Sequence, residues 1–161
     1  MEGESTILKR RLGTPPSVVD GDSQGDYVYF GNNNGNLTPG KIYRYTAGDE
    51  TGFIGQNSWV LADKADAASG EQLLAVAKGT SSTDGMLIRG SVCMDQTEVA
   101  AGDPDESLAT QGKVVYLRNG GMVTMTPTTT PTEISRVIGY VLINTNQRIW
   151  FDPSKEWIEI E

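Results

Sequence analysis

The sequence has no histidine and a single cysteine. Without histidine there is no Ser-His-Asp or Cys-His nucleophile. One thiolate and no imidazole are too few ligands for a zinc site. Cys93 has no partner for an internal disulfide and no histidine base to activate it. Within the run Leu87 to Met94 it reads as a small buried hydrophobe. Long apolar runs are also missing. The longest, around Val137 to Ile143, falls far short of the ~20 residues that a membrane-spanning helix needs. The opening MEGESTILKRR lacks the apolar centre of a secretory signal. The expectation is a protein made in the cytosol and not embedded in a membrane. Basic residues are a minority, 13 Lys and Arg against 21 Asp and Glu, for a net charge of −8. Nucleic acid is therefore not expected as a partner, since phosphate binding needs clustered cations to displace counterions. No glycine-rich phosphate loop followed by a lysine and a helix is present.

What the chain does have is turns and short apolar segments. Its 161 residues include 19 glycines and seven prolines, with 37% hydrophobic residues, enough for a thin β core. The fold class read from this pattern is all-β, a compact barrel or sandwich with an extended N-terminal arm. The arm is assigned to residues 1–26, where Pro15-Pro16 disfavours helix and Asp20 to Asp26 carries little apolar surface. Strands are expected at Tyr27 to Phe30, Lys41 to Tyr45, Ser58 to Ala62 and Gly85 to Met94. Residues 95–111 read as an acidic loop. Lys113 to Arg118 and Gly121 to Met125 flank Asn119-Gly120, a strong hairpin signal because both residues accept positive φ. Thr126 to Thr132, rich in Thr and Pro, reads as an extended linker. The last 28 residues are the densest apolar stretch. They read as three strands, Val137 to Ile143, Arg148 to Phe151 and Trp157 to Glu161. The first of these is apolar on both alternating faces.

The two halves also resemble each other. Gly40-Lys41-Ile42-Tyr43 matches Gly112-Lys113-Val114-Val115-Tyr116, with one extra residue in the second copy. Trp59-Val60-Leu61 lies over Val123-Thr124-Met125, and Leu73 to Ala77 over Val137 to Val141. Met86 to Arg89 lies over Arg148 to Phe151. The chain is accordingly divided into a first β unit, 27–111, and a second, 112–161, packed as one domain. Residues 63–70 then become a loop despite their alanines, because their counterpart is the Thr/Pro linker.

Candidate chemistry is sparse. Asp20-Gly21-Asp22-Ser23-Gln24-Gly25-Asp26 partly matches the start of a calcium loop. Gln24 at the fifth position and Gly31 at the twelfth break the pattern, so a solvated acidic turn is expected. Asp103, Asp105 and Glu106 lie in a loop with no apolar pocket to raise a carboxyl pKa for glycoside hydrolysis. Trp59, Trp150 and Trp157 are the side chains that could stack on a sugar, although in alternating strands such residues are more often core or interface. No enzyme, metal or cofactor is expected.

Three stretches carry a family resemblance: Ser58 to Ala77, Gly112 to Val123 with the Thr/Pro run, and Arg136 to Glu159. Together they cover roughly residues 55–161. On these the chain resembles the capsid decoration (cement) and head-fibre proteins of tailed bacteriophages. The opening Leu8-Lys9-Arg10-Arg11 is similar to the starts of phage fibre proteins. The resemblance implies a β-rich structural protein on the outer surface of the virion capsid. Its partners would be the major capsid protein and itself, as a homotrimer. It also keeps open a fibre module that binds host-surface glycans. Leu8, Lys9, Arg10 and Arg11 become the candidate capsid-binding arm. Trp150, Phe151, Trp157, Ile158 and Ile160 become the candidate subunit interface or core.

Overall fold

The computed structural model describes residues 19–33, 36–47, 57–95, 108, 110–143 and 147–161. They form an all-β fold. Its strands are β1 (Ser23–Val28), β2 (Asn32–Asn33), β3 (Ile42–Thr46), β4 (Ser58–Leu61), β5 (Leu74–Ala77) and β6 (Met86–Cys93), then β7 (Val114–Leu117), β8 (Val123–Thr124), β9 (Ile134–Ile143), β10 (Arg148–Phe151) and β11 (Trp157–Glu159). All pairings are antiparallel except β2 with β4.

The repeat is visible in the strand order. From the junction outward the sheet runs β6-β5-β3-β4 on one side and β10-β9-β7-β8 on the other. The entry turns correspond atom for atom. Lys41 N–H donates to the Thr38 carbonyl at 3.2 Å, and Lys113 N–H to that of Thr110 at 3.3 Å. Gly40 and Gly112 stand at φ +79° and +78°, the third position of a turn that needs positive φ. Ala77 N–H then bonds the Lys41 carbonyl and Val141 N–H that of Lys113. Ile42 pairs with Val76 as Val114 pairs with Tyr140. Tyr45 pairs with Trp59 as Leu117 pairs with Val123. The copies therefore match here with no insertion. The extra residue sits in β9, where a bulge leaves Ile138 out of register with β7.

β6 joins the units. β1 accompanies it from Met86 to Val92. A strand has two hydrogen-bonding edges, so its other edge is shared, by β5 at Met86 and Leu87 and by β10 from Gly90 to Cys93. A bulge at Ile88 switches which residues face inward, from Leu87 before it to Val92 after it. The main core lies inside this curled sheet. It takes Ile42, Leu74, Val76 and Leu87 from the first unit and Val115, Leu117, Val141, Ile149 and Phe151 from the second. A smaller cluster covers the outer face of the first unit, with Leu37, Tyr43, Trp59, Ala75, Ala77 and Met86. β5 is thus buried on both faces.

Four expectations need correction. Ser23 to Asp26, assigned to the arm, belongs to β1, because polar side chains do not prevent backbone pairing when a partner strand is present. The acidic run is a turn only at Asp20-Gly21, closed by Asp22 N–H on the Val19 carbonyl at 3.0 Å, and the half-exposed Asp22 is held by Arg148 at 2.7 Å. Residues 63–70 are not wholly loop, since Ala68–Glu71 closes one helical turn. The Asn119-Gly120 hairpin closes through a longer turn, Asn119–Gly121, in which Gly121 is also at positive φ, +72°. A side chain on Gly121 would meet the Ile42 carbonyl at 2.6 Å, so this turn is packed on β3.

Candidate functional site

Leu8, Lys9, Arg10 and Arg11 lie outside the described residues, as do Asp103, Asp105 and Glu106. The five candidate interface residues separate by strand alternation. Phe151 points inward and is fully buried. Trp150, its neighbour in β10, points outward and is 37% exposed. Trp157 is half-buried against the core and lies over Gly70, where a Cβ would meet its ring at 2.5 Å. Ile158 points away and is 62% exposed, and Ile160 is half-buried. Trp59 is not available to a ligand: it is buried, donates its indole N–H to the Phe30 carbonyl at 2.8 Å, stacks with the Phe30 ring and packs against the tilted Tyr45 ring.

The outward side chains of the second unit form one surface. Val114, Tyr140 and Trp150 are aligned across β7, β9 and β10 by the register. Leu142 is also exposed on β9. Farther along β9, Ser135 and Val137 enter an open groove of about 510 Å³ with Tyr116, Ser154, Glu156, Trp157 and Ile158. The sequence reading included Trp150, Trp157 and Ile158 but missed Val114, Tyr140 and Leu142. The apolar character of both faces of β9 was the available signal for Tyr140 and Leu142.

Among the described residues three arginines are buried. Arg44 Nε lies 2.8 Å from Asp66, and Arg44 also donates to Gln72. Arg148 is paired with Asp22 and donates to Ser91 Oγ at 2.8 Å. Arg136 is bonded to carbonyl oxygens instead. Its Nε donates to Ser154 and its Nη1 to Ser69 and Gln72, at 2.8–2.9 Å. It ties the helical turn to the 152–155 turn that leads into β11. Burial pushes its pKa below the usual arginine value. Arg136 also borders a smaller cavity of about 270 Å³ with Glu71, Leu73, Ile88, Asp152 and Lys155.

The Thr/Pro segment is fastened through Glu133. Lys64 approaches this carboxylate at 2.8 Å, and the Thr128 hydroxyl donates to it. The Lys64 ammonium first, then the Thr128 hydroxyl, hold the Glu133 pKa below its ordinary value. The stability this contributes is complete above the ordinary glutamate pKa, about 4.3, and is lost as pH falls through the lower folded value. Glu133→Gln should therefore lower the melting temperature at pH 7 and narrow its distance from wild type toward pH 3. An equal deficit at both pH values in a melting series would show that the carboxylate's charge is not what matters.

Among the described residues no group of His, Cys, Asp and Glu is placed to hold a metal ion, and no helix is long and apolar enough to cross a membrane. No protein-family model, curated protein or solved structure matches the chain.

Proposed function

We propose that this chain is a structural virion protein that binds the outer surface of a phage capsid and decorates or cements it as a homotrimer. The observation that carries the reading is the outward face of the second unit. Tyr140, Leu142, Trp150 and Ile158 are exposed there beside an open groove. Exposed aromatic and aliphatic side chains grouped on one face suit contact with protein. Cementing needs no reaction, only modest contacts repeated over a shell, where multivalency multiplies them. The surplus of acidic residues keeps a densely decorated particle soluble.

In this reading Leu8 to Arg11 reach a coat subunit and order on docking. Deleting residues 2–17 should weaken binding to purified capsids by about tenfold or more, the loss of ~1.4 kcal/mol, and leave the oligomer intact. A truncated protein that saturates capsids at the wild-type concentration removes the arm from the reading. Wild-type protein that fails to sediment with capsids removes the capsid.

The groove supports a second reading. Trp157 and Tyr116 stand beside Ser135, Ser154 and Glu156, an aromatic wall with polar groups that suits a sugar. A fibre module that binds host glycans would give strong, saturable signals on a glycan array.

A further inference from the structure

An arginine that folds into a protein interior normally brings a counter-ion, because an unpaired buried charge is costly. Arg44 stands against Asp66 and Arg148 against Asp22. Arg136 is as buried as these, at 6% exposure. Among the described residues no carboxylate lies within ion-pair distance of it. Its three hydrogen bonds go to neutral carbonyl oxygens and use Nε and Nη1. Both hydrogens of Nη2 are left without an acceptor among the described residues, and that nitrogen is not sealed from solvent. The space left for it to face is the cavity of about 270 Å³ that Arg136 borders.

We propose that this cavity binds a small organic carboxylate, whose charge pairs with Arg136 Nη2 and whose apolar body lies against Leu73, Leu74, Ile88 and Pro153. The lining suits both ends of such a molecule. Leu73 is 44% exposed, an apolar wall that a bare inorganic anion would leave uncovered. Lys155, exposed on the same lining, adds a second cation. Asp152 also lines the cavity, but Arg89 approaches its carboxylate at 3.5 Å. Glu71 is exposed, so its carboxylate keeps its water. Arg136 is already fixed by three acceptors, so little side-chain entropy is lost when a ligand arrives. A charge-assisted hydrogen bond is also about twice as strong as a neutral one. Pockets for drug-sized ligands begin at about 300 Å³, so this one suits a single ring or a short chain. The proposal is independent of the capsid and glycan readings, neither of which uses this cavity.

Titration of the full chain with benzoate, followed in amide NMR spectra, tests it. Benzoate should shift the amides of Gln72, Leu73, Ile88 and Asp152 saturably. Benzamide has the ring without the charge, and acetate the charge without the ring. Each should bind about tenfold more weakly or worse. Leu73→Glu places a carboxylate on the cavity wall as a built-in counter-ion. It should weaken benzoate binding by about tenfold or more and leave the amide shifts of the sheet in place. If Leu73→Glu does not fold, Lys155→Glu serves the same purpose from an exposed position. The absence of a saturable shift at these amides overturns the proposal. Equal affinity for benzamide, or unchanged benzoate affinity in a folded variant, does so as well. Shifts confined to the groove at Tyr116 and Trp157 would assign the acid to that groove and overturn the cavity.

Discussion

Gly90→Ala is expected to destabilise the protein by about 3 kcal/mol or more. Gly90 in β6 lies opposite Gly25 in β1. A methyl group on Gly90 would sit 2.2 Å from the Gln24 carbonyl oxygen and 2.7 Å from the Gly25 Cα. Both obstacles are backbone, so no side chain can turn aside. β1 would have to move off β6, and with it the pairing that runs the length of that strand. Gly90 is also at φ +144°, where an L side chain is strained. For a domain of this size, the loss corresponds to a melting temperature lower by roughly 6–12 °C. Gly112→Ala is the control. It shares positive φ, +78°, but nothing lies within 4 Å of its Cβ position, so it should cost only about 1–2 kcal/mol. If thermal denaturation gives the two variants equal melting temperatures, the close crossing of β1 and β6 is not what glycine is needed for.

Arg136→Met is the second large effect. The change keeps much of the aliphatic volume and removes the donors that Ser69, Gln72 and Ser154 share. Hydrogen bonds from a charged donor contribute about 1.5–3 kcal/mol each, and acceptors left buried without a donor add their desolvation cost. Removing the guanidinium also removes its own cost of burial, and bonds to one group do not add in full, so a net loss of about 3–4 kcal/mol is expected. It should act first where those carbonyls are. Amide exchange should speed up in the helical turn Ala68–Glu71 and in β11 before it does in β5 or β6. Arg136→Lys should recover only part of the loss, because one ammonium cannot reproduce the planar fork. Exchange that rises uniformly over the sheet would mean that Arg136 supports the fold in general rather than this junction.

Much of the strand pattern was legible in the sequence. Ile42 to Tyr45, Trp59, Leu74 to Ala77, Met86 to Cys93 and Arg148 to Phe151 all lie in strands where their apolar spacing and flanking glycines place them. The repeat was legible too, because both units need the same turn, with glycine at Gly40 and Gly112 to supply the positive φ that opens the next strand. These are local requirements, set within a few residues.

Two kinds of feature were decided only in the tertiary structure. Arg136 is one: its acceptors come from residues far apart in sequence, and nothing around it distinguishes it from a surface arginine. The direction of the side chains is the other. β9 reads as apolar on both faces, which does not say which face is inside. The bulge at Ile138 settles it. Ile134, Arg136 and Ile138 point inward before the bulge, and Gly139 and Val141 after it. A shift of one residue in a period of two turns every later side chain over, so Tyr140 and Leu142 face outward. The bulge at Ile88 does the same within β6 and lets both units face one core. The sequence by itself determined most of the strands, the glycine turns at Gly40 and Gly112, and their duplication. Register between strands, which depends on partners distant along the chain, determined which apolar face closed into the core and which was left open.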